Sequence, residues 1–163
     1  MVVEIRPDKK GTYYPDDFKV FLAGTIDNGD SEDWQEKLIH MMDDELKNRF
    51  LIAFNPRRKN WDANAGSDAV EKQIKWEEDR LDESDLIVMV IKEGSKSPIS
   101  LLELGLYGPS GRMIVFCNDK FYRYTNVKMT CEKYLIPLVN STDVKDICNE
   151  IKKVVDEIWQ TKC

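Results

Sequence analysis

Leu86-Ile87-Val88-Met89-Val90-Ile91 is an unbroken apolar run between Ser84-Asp85 and Lys92-Glu93-Gly94. A strand with one wet face alternates apolar with polar residues, whereas an unbroken run must be covered on both faces. The run is far shorter than the roughly 20 residues that a membrane-crossing helix needs. It therefore demands a central strand of a parallel sheet with helices packed on either side.

The flanking patterns agree. Lys19-Val20-Phe21-Leu22-Ala23-Gly24 reads as a buried strand closed by glycine. Ser31 is placed to cap a helix whose apolar stripe runs Trp34, Leu38, Met41, Met42, Leu46 and Arg49. Phe50-Leu51-Ile52-Ala53-Phe54 is a second strand, stopped by Asn55-Pro56, and a polar loop over 57–66 follows. Ser67-Asp68 start a helix that runs to about Glu83. Ser97-Pro98 pair an N-cap with proline at the first helical position, and that helix runs to Tyr107. Met113–Cys117 is a strand, 118–134 a polar-aromatic stretch, and Leu135–Val139 a short strand. Val144, Ile147, Ile151, Val154, Val155 and Ile158 mark a final helix.

Strands alternating with helices imply right-handed crossovers and a doubly covered sheet. The expected fold is α/β: a Rossmann-like or flavodoxin-like three-layer sandwich around a five-stranded parallel sheet. It forms a single domain over 1–163, in which residues 1–17, with Pro7, Gly11 and Pro15, are an irregular lead-in. Ligands of such sheets lie beyond the carboxyl ends of the strands, where strand order reverses. That rule selects segments 24–30, 55–62, 92–100 and 117–126.

Composition narrows the chemistry. Lysine and arginine number 24 against 30 aspartates and glutamates, a net charge of −6. Such a chain repels a phosphate backbone, so nucleic acid is not an expected partner. Met1–Pro7 holds no long apolar core, so no secretory signal or membrane association is expected and the localisation is cytoplasmic. The 4 cysteines, at 117, 131, 148 and 163, have no Cys-x-x-Cys spacing, and His40 is the single histidine, expected at the surface. They read as reduced packing thiols, and neither metal nor cofactor is expected.

Several familiar sites are missing. Gly24-Thr25-Ile26-Asp27-Asn28-Gly29-Asp30-Ser31 has the glycine spacing of a phosphate loop, but Asp30 stands where lysine is required, which excludes NTPase chemistry. There is no Gly-x-Gly-x-x-Gly after the first strand, no flavin phosphate loop and no Gly-x-Ser-x-Gly elbow.

Two carboxylates stand out instead. Glu77 lies on the stripe Val70, Ile74, Leu81, and Glu103 lies between Ile99 and Leu106. A carboxylate turned toward a buried side is costly unless it is paired or used. Two of them beside the expected cleft can divide work on a glycosidic carbon, one attacking and the other handling the leaving group's proton. The alternative is that each simply pairs with a lysine or arginine, or that the stripes are misphased.

Five segments carry a resemblance over roughly 19–127. They are Phe21-Leu22-Ala23-Gly24; Phe54-Asn55-Pro56-Arg57-Arg58-x-x-Trp61-Asp62; Gln73-x-x-Trp76-Glu77 with Ser84-Asp85-Leu86-Ile87; Ser97-Pro98-Ile99-Ser100-Leu101-Leu102-Glu103-Leu104-Gly105-Leu106-Tyr107; and Arg123-x-x-Asn126-Val127. In this order the chain resembles the nucleoside 2-deoxyribosyltransferase family, especially its short phage-and-microbe branch. The resemblance implies that Glu103 attacks C1′ of a deoxyribose. Glu77 falls where the family has an aspartate acting on the base. Asn126 corresponds to an asparagine that binds sugar hydroxyls, often from a neighbouring subunit. Phe21 stands in place of a tyrosine that orients the nucleophile, and Ser97 in place of a base-contacting aspartate.

The implied substrates are deoxynucleosides and nucleobases, handled by a homo-oligomer, a dimer or higher. Gly24, Asp27 and Asn28 are placed to touch sugar or base, unless they serve only the turn. Trp61 and Trp76 are candidates for stacking on the base or for core packing. Arg57 and Arg58 are candidates for a 5′-phosphate, or for pairing with Asp62. Three activities stay open: base exchange, hydrolysis of a deoxynucleoside or its 5′-monophosphate, and nucleotide sensing without catalysis.

Overall fold

The structure, a computed structural model, describes residues 1–59 and 64–161, with the side chains of Asn28 and Thr161 outside the description. Trp61 and Asp62 also lie outside the described residues.

Six strands form one parallel sheet: β1 (Val2–Ile5), β2 (Phe18–Gly24), β3 (Leu51–Phe54), β4 (Leu86–Ile91), β5 (Met113–Cys117) and β6 (Leu138–Val139). Their order is β1-β3-β2-β4-β5-β6. The helices are α1 (Trp34–Glu45), α2 (Ser67–Glu83), α3 (Pro98–Tyr107), α4 (Tyr124–Tyr134) and α5 (Val144–Thr161). The expected α/β sandwich is present, with the unbroken apolar run as the central strand β4.

Alternation along each strand feeds two cores. Val20, Leu22, Val88 and Val90 pack with Trp34, Leu38 and Met42 of α1 and with Ile147, Ile151 and Val155 of α5. Phe21, Ala23, Ile87 and Met89 pack on the other face with Leu81 of α2, Leu104 of α3, and Val127 and Cys131 of α4. Cys117, Cys131 and Cys148 are buried free thiols within these cores. Among the described residues no helix is long and apolar enough to cross a membrane.

The sheet has six strands where five are expected. The extra strand, β1, lies in the supposed irregular lead-in and pairs with β3 from Val2↔Leu51 to Ile5↔Phe54. An edge strand contacts one neighbour only, so a four-residue alternation suffices: Val2 faces one core, Val3 and Ile5 the other. The polar-aromatic stretch is another correction, because much of it is helix α4. Val127 and Cys131, one turn apart, are its buried face. The last strand shrinks to Leu138–Val139, since Leu135 is the left-handed C-cap of α4 and is 90% exposed.

Two helix starts differ in detail. Asp33, not Ser31, caps α1: its carboxylate accepts from the Glu36 amide at 2.9 Å. Ser97 occupies the N-cap position of α3 but makes no capping bond, and its φ is +46°. The stripes assigned to α2 and α3 are misphased. Val70, Ile74, Ile99 and Leu106 are all exposed, while Leu81 and Leu104 face the core. His40 is exposed.

Candidate active site

Strand order reverses between β2 and β4, since the chain builds β3 and β1 on one side of β2 and β5 and β6 beyond β4. A cavity of about 290 Å³ opens at the carboxyl ends of these two strands. Gly24, Thr25, Ile26 and Asp27 line it from the end of β2, Pro56 from the end of β3, Glu77 from α2, and Ser97, Ile99, Ser100 and Glu103 from α3. Of the residues expected at a site, Gly24, Asp27, Glu77, Ser97 and Glu103 are thus brought together.

Gly24 permits the approach of the two strands. Its φ is +139°, and a methyl group there would lie 2.0 Å from the Val90 carbonyl oxygen. Just beyond it, Thr25 ties the strand ends together. Its amide donates to Val90 O at 2.9 Å and its Oγ1 accepts from the Lys92 amide at 2.9 Å.

One end of the cavity is a chain of hydroxyls. Thr25 Oγ1 and Ser97 Oγ are 2.7 Å apart, Ser97 Oγ and Ser95 Oγ 2.9 Å, and Ser95 Oγ donates to Asp27 Oδ1 at 2.6 Å. Asp27 and Ser97 both hold left-handed backbones, φ +49° and +46°, which non-glycine residues adopt only where surroundings enforce them. Thr25 and Ser95 belong to segments that the strand-end rule selects, but nothing in their identity marks them. A hydroxyl joins a site through its neighbours in space.

The other end holds the two carboxylates. Glu77 accepts from Gln73 Nε2 at 2.5 Å. Burial raises its carboxyl above the usual range, opposed by the Gln73 bond and the Arg58 charge. Glu103 has no hydrogen-bond donor or cation among the described residues, and burial, with the charge of Glu77, pushes its carboxyl up to about 8. Two carboxyls thus share the cavity, both held above the usual carboxylate range.

Other expected residues lie elsewhere. Phe21 is fully buried beneath the site, with Trp76 against it and Phe54, so Trp76 is a packing residue. Arg57 is 4% exposed and does not line the cavity. Its guanidinium donates to Gln35 Oε1, Ser31 O, Ser31 Oγ and Glu32 O at 2.9–3.2 Å and lies 3.5 Å from Asp33, so it clamps the loop after β2. Asn126 lies on the far side of α3, in a shallow groove with Leu101, Gly105, Tyr122 and Thr130. Asn28 lies in the turn Asp27–Gly29, next to Asp27 of the cavity lining. Among the described residues no group of three His, Cys, Asp or Glu side chains converges as a metal ion would require.

A family model described as "Nucleoside 2-deoxyribosyltransferase like" matches residues 17–121, more than half of the chain. No curated protein matches it. Among solved structures, the crystal structure of a conserved protein from Enterococcus faecalis V583 is similar, with a TM-score of 0.55 at 16% identity. The match covers 84% of this chain and 98% of that one. At such identity the likeness speaks for the fold alone.

Proposed function

The chain belongs to the nucleoside 2-deoxyribosyltransferase-like family, and from that premise we propose that it exchanges the base of 2′-deoxynucleosides through a 2-deoxyribosyl ester on Glu103. One observation carries this: Glu103 lines the cavity without a donor or cation partner among the described residues, beside a second carboxylate, Glu77, whose charge raises it.

The reaction needs one proton on the two carboxyls, and both carboxyls are raised toward holding one. With the proton on Glu77, Glu103 is the nucleophile. Its oxygen bonds to C1′, the C1′–N bond breaks, and its electron pair leaves with the base nitrogen, which takes the proton from Glu77. The nearby anion stabilises the oxocarbenium-like transition state. A second base then attacks C1′, the ester C–O bond returns its electrons to Glu103, and the incoming base gives its surplus proton to Glu77. Asp27 and Ser97, at the hydroxyl end, are the groups offered to the substrate's polar edges. Asn126 completes the pocket of a neighbouring copy, and its distance from its own cavity supports that role.

The deciding experiment incubates deoxynucleosides with free bases and follows products chromatographically, wild type beside Glu103→Ala. New nucleosides from wild type and none from the variant are expected. Free deoxyribose in place of new nucleosides would make water the acceptor and the enzyme a hydrolase. Ligand binding with no turnover by wild type would favour a sensor. Because the active pair carries one proton, kcat/KM falls as pH rises past about 8, where that proton is lost.

A further inference from the structure

Gln73 lies one helical turn before Glu77 on α2, and its amide touches three groups. Arg58 Nε donates to Gln73 Oε1 at 2.5 Å. Gln73 Nε2 donates to Pro56 O at 3.1 Å and to Glu77 Oε1 at 2.5 Å. The orientation of this amide is imposed by chemistry. A guanidinium only donates and a carbonyl only accepts, so a reversed amide would oppose donor to donor and acceptor to acceptor.

Both Nε2 hydrogens are thereby committed. Glu77 Oε1 is held as an acceptor, which leaves Oε2 as the oxygen that can carry a proton. The charged groups facing Glu77 are Glu103 from α3, Arg58 from the turn after β3, and Glu78 from α2 itself. Among these described groups only Arg58 is cationic; its charge acts on Glu77 directly, and its guanidinium also fixes the Gln73 amide.

We propose that Gln73, oriented by Arg58, is the positioning residue that makes Glu77 Oε2 the one oxygen exchanging a proton with the nucleobase, in both halves of the reaction. The inference rests on the base-exchange function above and adds to it the two residues that aim the acid. It also assigns Arg58 a role inside the protein in place of a 5′-phosphate contact.

The test compares wild type, Gln73→Met and Arg58→Met on two donors, a natural deoxynucleoside and 4-nitrophenyl 2-deoxyriboside, whose leaving group departs without a proton. For Gln73→Met, kcat on the natural donor is expected to fall about 10- to 100-fold and on the activated donor by less than about threefold. Arg58→Met is expected to show the same split, smaller in size. The alkaline limb of the natural-donor profile moves to higher pH, because the bond that favoured ionised Glu77 is gone. Equal losses on both donors, or an undiminished natural rate, would overturn the proposal. If wild type turns over neither donor, the parent function fails instead. The carboxyl 13C titration of Glu77 then still decides the local claim: a titration unmoved by Gln73→Met refutes it, and an upward move upholds it. Both side chains are only partly buried, and unchanged thermal melting would show that the variants fold.

Discussion

At the scale of single residues, the site holds its reactivity as an instability. Glu103 sits with its carboxyl pushed up to about 8 and no donor among the described residues to compensate it. An unfolded glutamate ionises near the ordinary value of 4.5, so the native state binds this proton more tightly. The contribution to stability is fully present below about 4.5, shrinks as pH rises toward 8, and stays lost above. Glu103→Gln removes the titration and is expected to stabilise the protein by roughly 4 kcal/mol at pH 8, with little effect at pH 4. Thermal melts of both proteins across that range check the sign, and a gap that widened toward acid would refute it. Asp27 and Ser97 extend the pattern: their left-handed backbones cost of order 1 kcal/mol each and aim polar atoms into the same cavity.

Among the elements, the strand ends set the cleft. Gly24 closes β2 in register with Val90 of β4, where the backbones leave no room for a Cβ. Gly24→Ala must displace the Val90 carbonyl as well as adopt φ +139°, so a loss of at least about 3 kcal/mol in urea unfolding is expected. Tolerance of alanine at that position would mean that the two strand ends lie farther apart. Strongly periodic elements were legible from sequence: β4, whose neighbours are all apolar, and α1 and α5, whose stripes match a wide buried face. The short edge strand β1 and the helix α4 were not. β1 buries little, and α4 shows only Val127 and Cys131 to the core, a signal that its surface aromatics mask. The stripes of α2 and α3 misled because their exposed Val70, Ile74, Ile99 and Leu106 are as apolar as the residues they bury.

For the whole molecule, those exposed side chains, with Leu102 and Met129, leave the α2–α3–α4 layer more apolar on its outside than solvent favours. The expected consequence is a homo-oligomer that covers this layer and brings Asn126 of one copy to the cavity of another. Sedimentation should show a dimer or larger species, which Leu106→Glu dissociates. Mixing Asn126→Ala with Glu103→Ala should recover part of the activity that each lacks, because a mixed assembly has a site with both residues intact. A monomeric wild type, or no recovery on mixing, would place Asn126 outside the site. From sequence alone came the layered parallel fold and the strand-end segments that include 24–30 and 92–100, because periodicity and strand-end geometry are local properties. Glu77 and Glu103, by contrast, were singled out on stripes that the structure shows to be misphased and on the family resemblance. Tertiary structure alone decided that Glu103 lacks a partner among the described residues, that Arg57 is a buried clamp, and that Thr25, Ser95, Ser97 and Asp27 form one chain. Hydrogen bonding and desolvation act between residues far apart in the chain, so no local pattern encodes them.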